Sequence, residues 1–150
     1  MTARYQRPDW FTQHVFNRLV VGLTRLGLSV WGSRILRVRG RSSGAPRTTP
    51  VNLLTLNGER YLVAPRGETH WVRNLRAAGE GELLLGPAVE RFQAVELPDA
   101  DKPPILRAYL KRWKAEAGMF FDGVSATSAD EDMLRIAPNH PVFRIASTTP

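Results

Sequence analysis

Apolar and polar positions divide the chain into a helical beginning and a strand-rich remainder. Over residues 10–28, Phe11, Val15, Phe16, Leu19, Val20, Leu23 and Leu26 recur at intervals of three and four, with Asn17, Arg18, Thr24 and Arg25 between them. This period predicts an amphipathic helix that either covers the open side of a barrel or rests on a membrane surface. After Gly32 the pattern shortens to alternating runs at 35–38, 51–56, 60–64, 82–85, 89–97 and 142–145, which predict strands. Asn57-Gly58 between the second and third runs supplies the positive φ angles of a two-residue type I′ hairpin, and Gly86-Pro87 marks another turn.

Helical spacing returns twice. Trp71, Val72, Leu75 and Ala78 predict a short helix over 68–78, with Gly79 at its end. A longer one is expected over 99–121, capped by Asp99 or Asp101, with Pro103-Pro104 in its first turn and Ile105, Tyr109, Leu110, Trp113 and Ala117 as its apolar stripe. Residues 123–138 are expected as a loop, in which Asp130-Glu131-Asp132 forms a solvated face or starts a short helix. The expectation is an α+β fold: a small barrel of five to six mainly antiparallel strands, with an N-terminal amphipathic helix and flanking helices. A single domain over 1–150 is expected, with a helical segment at 1–32 and the barrel at 33–146.

Composition narrows the chemistry. The 150 residues include no cysteine, which removes disulfides and thiolate nucleophiles. His14 and His140 lack carboxylate partners at ligand spacing, and no metal is expected. No stretch approaches the roughly 18 apolar residues of a membrane-spanning helix, and no signal-peptide pattern follows Met1. A cytoplasmic location is expected, with peripheral contact at the inner membrane face through the first helix as the alternative. The net charge of +7 is carried almost entirely by arginine, whose planar fork binds phosphate and carboxylate bidentately.

That charge concentrates in Arg37-Val38-Arg39-Gly40-Arg41-Ser42-Ser43-Gly44-Ala45-Pro46-Arg47-Thr48-Thr49-Pro50. Glycines let backbone amides converge on an anion, and arginine and hydroxyl groups donate charge-assisted hydrogen bonds to it. The residue types alone leave three readings: an anion site, a solvated basic turn and a nucleic-acid patch. The last lacks interleaved aromatic residues for base stacking, and no nucleic acid is expected as a partner.

The segment from Gly40 to Pro50 resembles the Gly-Arg-Lys-Ser-Gly-x-Pro-Arg-x-x-Pro stretch of the deazaflavin-dependent nitroreductases. A second match follows in order: Val63-Ala64-Pro65-Arg66-Gly67 and Trp71-Val72-Arg73-Asn74-Leu75 are similar to that family's strand, basic-Gly turn and Trp-x-x-Asn-Leu helix. The resemblance implies a split β-barrel related to flavin oxidoreductases, and coenzyme F-420, an 8-hydroxy-5-deazaflavin, as cofactor, with flavin mononucleotide (FMN) as the alternative. It further implies that Arg41, Ser42, Ser43, Gly44 and Arg47 hold the cofactor's phosphate and glutamate tail. Thr49, Pro50 and Val51 would line the ring, and Ala64, Arg66, Gly67, Trp71 and Asn74 would complete the site. Ser42 stands where the family carries lysine; Arg39 or Arg66 is placed to compensate.

The activity so implied is hydride transfer from the reduced cofactor to an electron-poor small molecule such as a quinone, enone or nitro compound. The cofactor supplies the difficult chemistry and the protein supplies orientation, a dry pocket and proton delivery. His70 and Tyr61 are candidate proton donors, His70 because imidazole is the side chain that titrates nearest neutral pH. Tyr109 and Trp113 read as core. The competing readings are a basic nucleic-acid-binding module and a non-catalytic barrel holding flavin, haem or lipid. Monomer and homodimer are both compatible with a barrel of this size.

Overall fold

The computed structural model describes residues 32–148, and the helix expected over 10–28 lies outside them. Six strands form: β1 (Ser33–Arg39), β2 (Pro46–Leu56), β3 (Glu59–Val63), β4 (Glu80–Leu85), β5 (Ala88–Glu96) and β6 (Val142–Ser147). Neighbours are antiparallel and close into a barrel in the order β1-β2-β3-β6-β5-β4. The helices are α1 (His70–Ala78), α2 (Pro103–Ala117) and α3 (Asp130–Ile136).

The hairpin between β2 and β3 turns at Asn57 and Gly58, with φ of 52° and 79°, as a type I′ turn requires. Partners across a ladder share a face, and faces alternate along each strand. Leu36 lies opposite Thr49 and Leu83, Leu53 opposite Leu62, and Leu62 opposite Phe143. These leucines and Phe143 therefore point inward, where they join Val38, Phe92 and Ile145 in one buried cluster. Leu54, Val63 and Val142 point outward into a second cluster beneath α2 and α3, around Leu106, Tyr109, Trp113, Phe121 and Met133. Each fully buried large side chain stabilises by about 1.5 to 3 kcal/mol.

Three expectations need correction. β2 begins at Pro46 rather than Val51, because its two prolines fall where the strand is an edge and need not donate on both sides. The helix expected over 99–121 is broken. Asp99 caps nothing; Asp99–Asp101 is a 3-10 turn whose Asp99 carboxylate accepts from the buried Lys102 Nζ at 2.7 Å. That Nζ also donates to Ala137 O at 2.9 Å, so the helix start at Pro103 is stapled to the α3 end. At Trp113 the φ/ψ pair of −119° and 32° leaves the helical region, where the indole lies against Tyr109 at 4.8 Å. The loop expected over 123–138 contains α3, whose first turn is the acidic run Asp130, Glu131 and Asp132 beside the positive end of the helix.

One end of the barrel interior is polar. By register Arg60 and Glu90 face inward with Ile145 and Leu83, and Arg60 Nη1 donates to Glu90 Oε1 at 2.8 Å. At the other end Gly81 lies opposite Phe92, and a Cβ there would meet Phe92 Cζ at 3.0 Å and Arg37 O at 3.2 Å.

Gly81→Ala should accordingly cost about 1 to 3 kcal/mol through overpacking, read as a lower urea midpoint at unchanged slope. An unchanged midpoint would show that the β4–β5 pair yields freely. The Glu90 carboxyl is held below the usual range by its hydrogen bond to Arg60. A group depressed on folding stabilises above its unfolded value, about 4.3, and that stabilisation disappears as pH falls through the lower folded value. Stability should thus drop more steeply between about pH 5 and pH 2 in the parent protein than in Glu90→Gln, by on the order of 1 kcal/mol. Parallel curves would remove this pair from the barrel's acid sensitivity.

Candidate functional site

Strand lengths create the site. β2 pairs with β1 over residues 46–52 but with β3 only over 53–56, so the first half of β2 has a strand on one side alone. β3 ends at Val63, and the chain turns away through Pro65, Arg66 and Gly67 into α1. The barrel is thus split at this end. Half-buried Thr49, Pro50 and Val51 form one lip, and Ala64, Gly67 and Trp71 belong to the other. Val51 and Trp71 both pack on the inner cluster, with Trp71 6.1 Å from the Phe143 ring.

The α1 helix lies over the same end with Val72 and Leu75 buried in the inner cluster. Gly79 closes it, donating its N–H to Leu75 O at 2.8 Å. Two ion pairs from Arg76, to Glu96 at 2.7 Å and Glu68 at 3.0 Å, tie the helix to β5 and to the preceding turn. Those carboxylates, Glu96 first, push the Arg76 guanidinium well above its ordinary value.

The glycine-rich loop is closed on itself: Gly40 N–H donates to Ala45 O at 2.7 Å, Gly44 N–H to Gly40 O at 2.9 Å, and Ala45 N–H to Ser43 Oγ at 3.1 Å. It is then fastened to α1. The Arg41 backbone N–H and Nη1 both donate to Asn74 Oδ1, at 3.1 and 2.8 Å, and Arg41 Nη2 lies 3.4 Å from His70 Nδ1. The second lip is braced from below. Ala64 N–H donates to Pro141 O at 2.9 Å, and Ala64 O lies 3.2 Å from Nδ1 of the buried His140, which stacks on Phe121 at 4.1 Å.

Ion pairs occupy several of the arginines. Arg37 and Arg91 share Glu82, at 2.8 and 3.7 Å; Arg60 holds Glu90; Arg107 reaches Asp130 at 2.7 Å. Glu82 is held below the usual carboxylate range, chiefly by its hydrogen bond from Arg37. By contrast, exposed Arg39, Arg41, Arg47 and Arg73 have no carboxylate partner among the described residues. The loop therefore presents uncompensated guanidinium groups beside an open strand edge. That donor set suits a flat ring carrying a multiply charged anionic tail.

Most sequence-selected residues gather here: Arg41, Ser42, Ser43, Gly44 and Arg47 on the loop and early β2, the two lips around the split, and His70 and Asn74 on α1. Arg66 is half-buried in the turn of the second lip. Tyr61 is not with them. It shares the outward face with Leu54 and packs on the cluster under α2, as do the buried Tyr109 and Trp113. Sequence reasoning missed Arg73 and His140. A lone arginine on a helix reads as solvated, and the brace from His140 to Ala64 spans 76 positions. It also missed the buried Thr69 Oγ1, which makes no hydrogen bond among the described residues and does not cap α1. A groove of about 470 Å³ on the other flank of the loop, lined by Arg37, Arg39, Gly44, Glu82 and Phe92, shares only Gly44 with the selected set.

Fold and site together define a split β-barrel with arginines at its open end. Residues 12–124 match the F420H(2)-dependent quinone reductase family, and the chain belongs to it. Members are reductases that use coenzyme F-420, which is the cofactor of this chain. No curated protein matches. Among solved structures, one similar to this chain is a protein of unknown function from Agrobacterium tumefaciens, at 17% identity and TM-score 0.56, matched over 96% of this chain and 58% of that one. Another is an F420-H2 dependent reductase, at 19% identity and TM-score 0.52, over 77% of this chain and 94% of that one. A third is a FAD-binding protein from Mesorhizobium loti, at 15% identity and TM-score 0.50, over 86% and 89%. At these identities the likeness shows the fold, a split barrel.

Since Tyr61 faces the outer cluster, Tyr61→Phe should leave reductase turnover and cofactor affinity within about twofold of the parent. A loss beyond about tenfold would place its hydroxyl at the reacting centre after all.

Proposed function

We propose that this chain binds reduced coenzyme F-420 along the split and reduces a quinone-like acceptor, with enones and nitro compounds as related substrates. The observation that supports it best is the pair Arg41, on the closed loop, and Arg47, at the start of β2, which have no carboxylate partner among the described residues and stand beside the unpaired edge of β2. When bound, the cofactor supplies a hydride from carbon 5 of its ring.

The chain's own residues divide the remaining work. Arg41 and Arg47, with the hydroxyls of Ser42 and Ser43, hold the phosphate and carboxylates of the tail. Thr49, Pro50 and Val51 offer a flat, half-buried lip to the ring, and Trp71 on the opposite lip limits water. His70 is exposed at the start of α1. Its Nδ1 lies 3.4 Å from Arg41 Nη2, and it stands as the candidate proton donor of the site. Flavin mononucleotide, with a single phosphate, would leave part of this cationic set without a partner.

Quenching of oxidised F-420 fluorescence gives the affinity, and mixing the reduced cofactor with a panel of quinones, enones and nitroaromatics gives turnover as the oxidised absorbance returns. Arg47→Ala should weaken cofactor binding by about 1.5 to 3 kcal/mol, the loss of a charged hydrogen bond. Failure of the parent protein to bind at micromolar concentration would overturn the reading. Tight binding of DNA or RNA, falling by roughly one logarithmic unit per phosphate contact for each tenfold rise in salt, would favour a nucleic-acid module instead.

A further inference from the structure

The geometry points to Asn74 as a positioning residue that selects for the cofactor's anionic tail by holding Arg41, rather than as a direct ligand. This rests on the proposed seat for the tail on the 40–47 loop. Asn74 is buried, at 4% exposure, and its Oδ1 accepts two hydrogen bonds from one residue, the Arg41 backbone N–H at 3.1 Å and Nη1 at 2.8 Å. Both partners are obligate donors, so the atom between them is the amide oxygen, with both lone pairs in use. Little of that oxygen remains for a ligand.

What the double contact does is mechanical. Arg41 follows Gly40, whose N–H and O already close the loop onto Ala45 and Gly44, so fixing Arg41 fixes the loop's base. The guanidinium is held on a second side by His70 Nδ1. An arginine otherwise loses rotamer freedom when it meets an anion. Here that ordering precedes binding, and the remaining N–H groups are presented in a set direction. Asn74 is anchored in turn, because neighbouring Leu75 and nearby Val72 are locked in the inner cluster. A loss of the latch should therefore affect only the ligand's charged portion; the ring seat is made by β2.

The test compares coenzyme F-420 with its tail-less parent, 8-hydroxy-5-deazariboflavin, by fluorescence titration of the full chain. Asn74→Ala should weaken F-420 binding about tenfold while the tail-less ligand stays within about twofold. Acting through Arg41 also predicts coupling: the Arg41→Ala/Asn74→Ala double variant should lose less than the product of the two single losses. Should Asn74→Ala fail to fold, Asn74→Ser is read in the same way. Equal losses for both ligands, no loss for either, or single losses that simply multiply would overturn the latch while leaving the cofactor reading intact. Failure of the parent protein to bind F-420 would overturn both.

Discussion

From residue 46 to residue 52, β2 has a hydrogen-bonded neighbour on one side only. This mismatch in length between β2 and β3 is the constraint from which the site follows. A barrel closed along its whole length would bury its interior and leave no edge for a flat ring; one left open would expose the inner cluster. Here closure is complete where Leu53 meets Leu62 and Leu62 meets Phe143, and it lapses where Pro46 and Pro50 would be poor ladder donors. The apolar lip and the core are the same sheet, read at two heights.

Charge is distributed on the same plan. Away from the split, several arginines are matched by carboxylates: Arg37 and Arg91 with Glu82, Arg60 with Glu90, Arg76 with Glu96. Such half-exposed pairs add little stability individually. Arg39, Arg41, Arg47 and Arg73, at one end of the barrel, have no such partner among the described residues, and neither do Arg112 and Arg144 elsewhere. A high net charge spread evenly would raise non-specific association, whereas a local surplus directs a polyanion to one place.

Much of this was legible in the sequence because it is local. Asn57-Gly58 specifies its hairpin by backbone geometry. The loop residues Gly40, Arg41, Ser43 and Gly44 stand together in the sequence and in space. What could not be read is long-range. Nothing in residues 46–50 announces a strand, since two prolines and a run of polar residues hide it, and only pairing with β1 stabilises it. Tyr61 and Leu62 are equivalent by composition; only the register, which sets Tyr61 opposite Leu54, shows that the tyrosine faces α2. The break near Trp113, where φ and ψ leave the helical region, likewise has no mark in the helical spacing of the apolar residues around it.

Stability and binding meet in α1. Its Val72 and Leu75 close the barrel interior, while Asn74 and His70, on the same nine-residue helix, reach the loop that carries the arginines. A helix this short is not stable alone, and its place is set by burial of the apolar pair and by the Arg76 ion pairs. Any change that loosens the inner cluster would therefore shift Asn74, and through Arg41 the loop, with no contact to the ligand being altered. The separation runs the other way as well: the loop is exposed and closed by its own hydrogen bonds, so its side chains are free to change without disturbing the core. Ser42 occupies such a position, and its side chain takes no part in the hydrogen bonds that hold Gly40, Arg41 and Asn74 together.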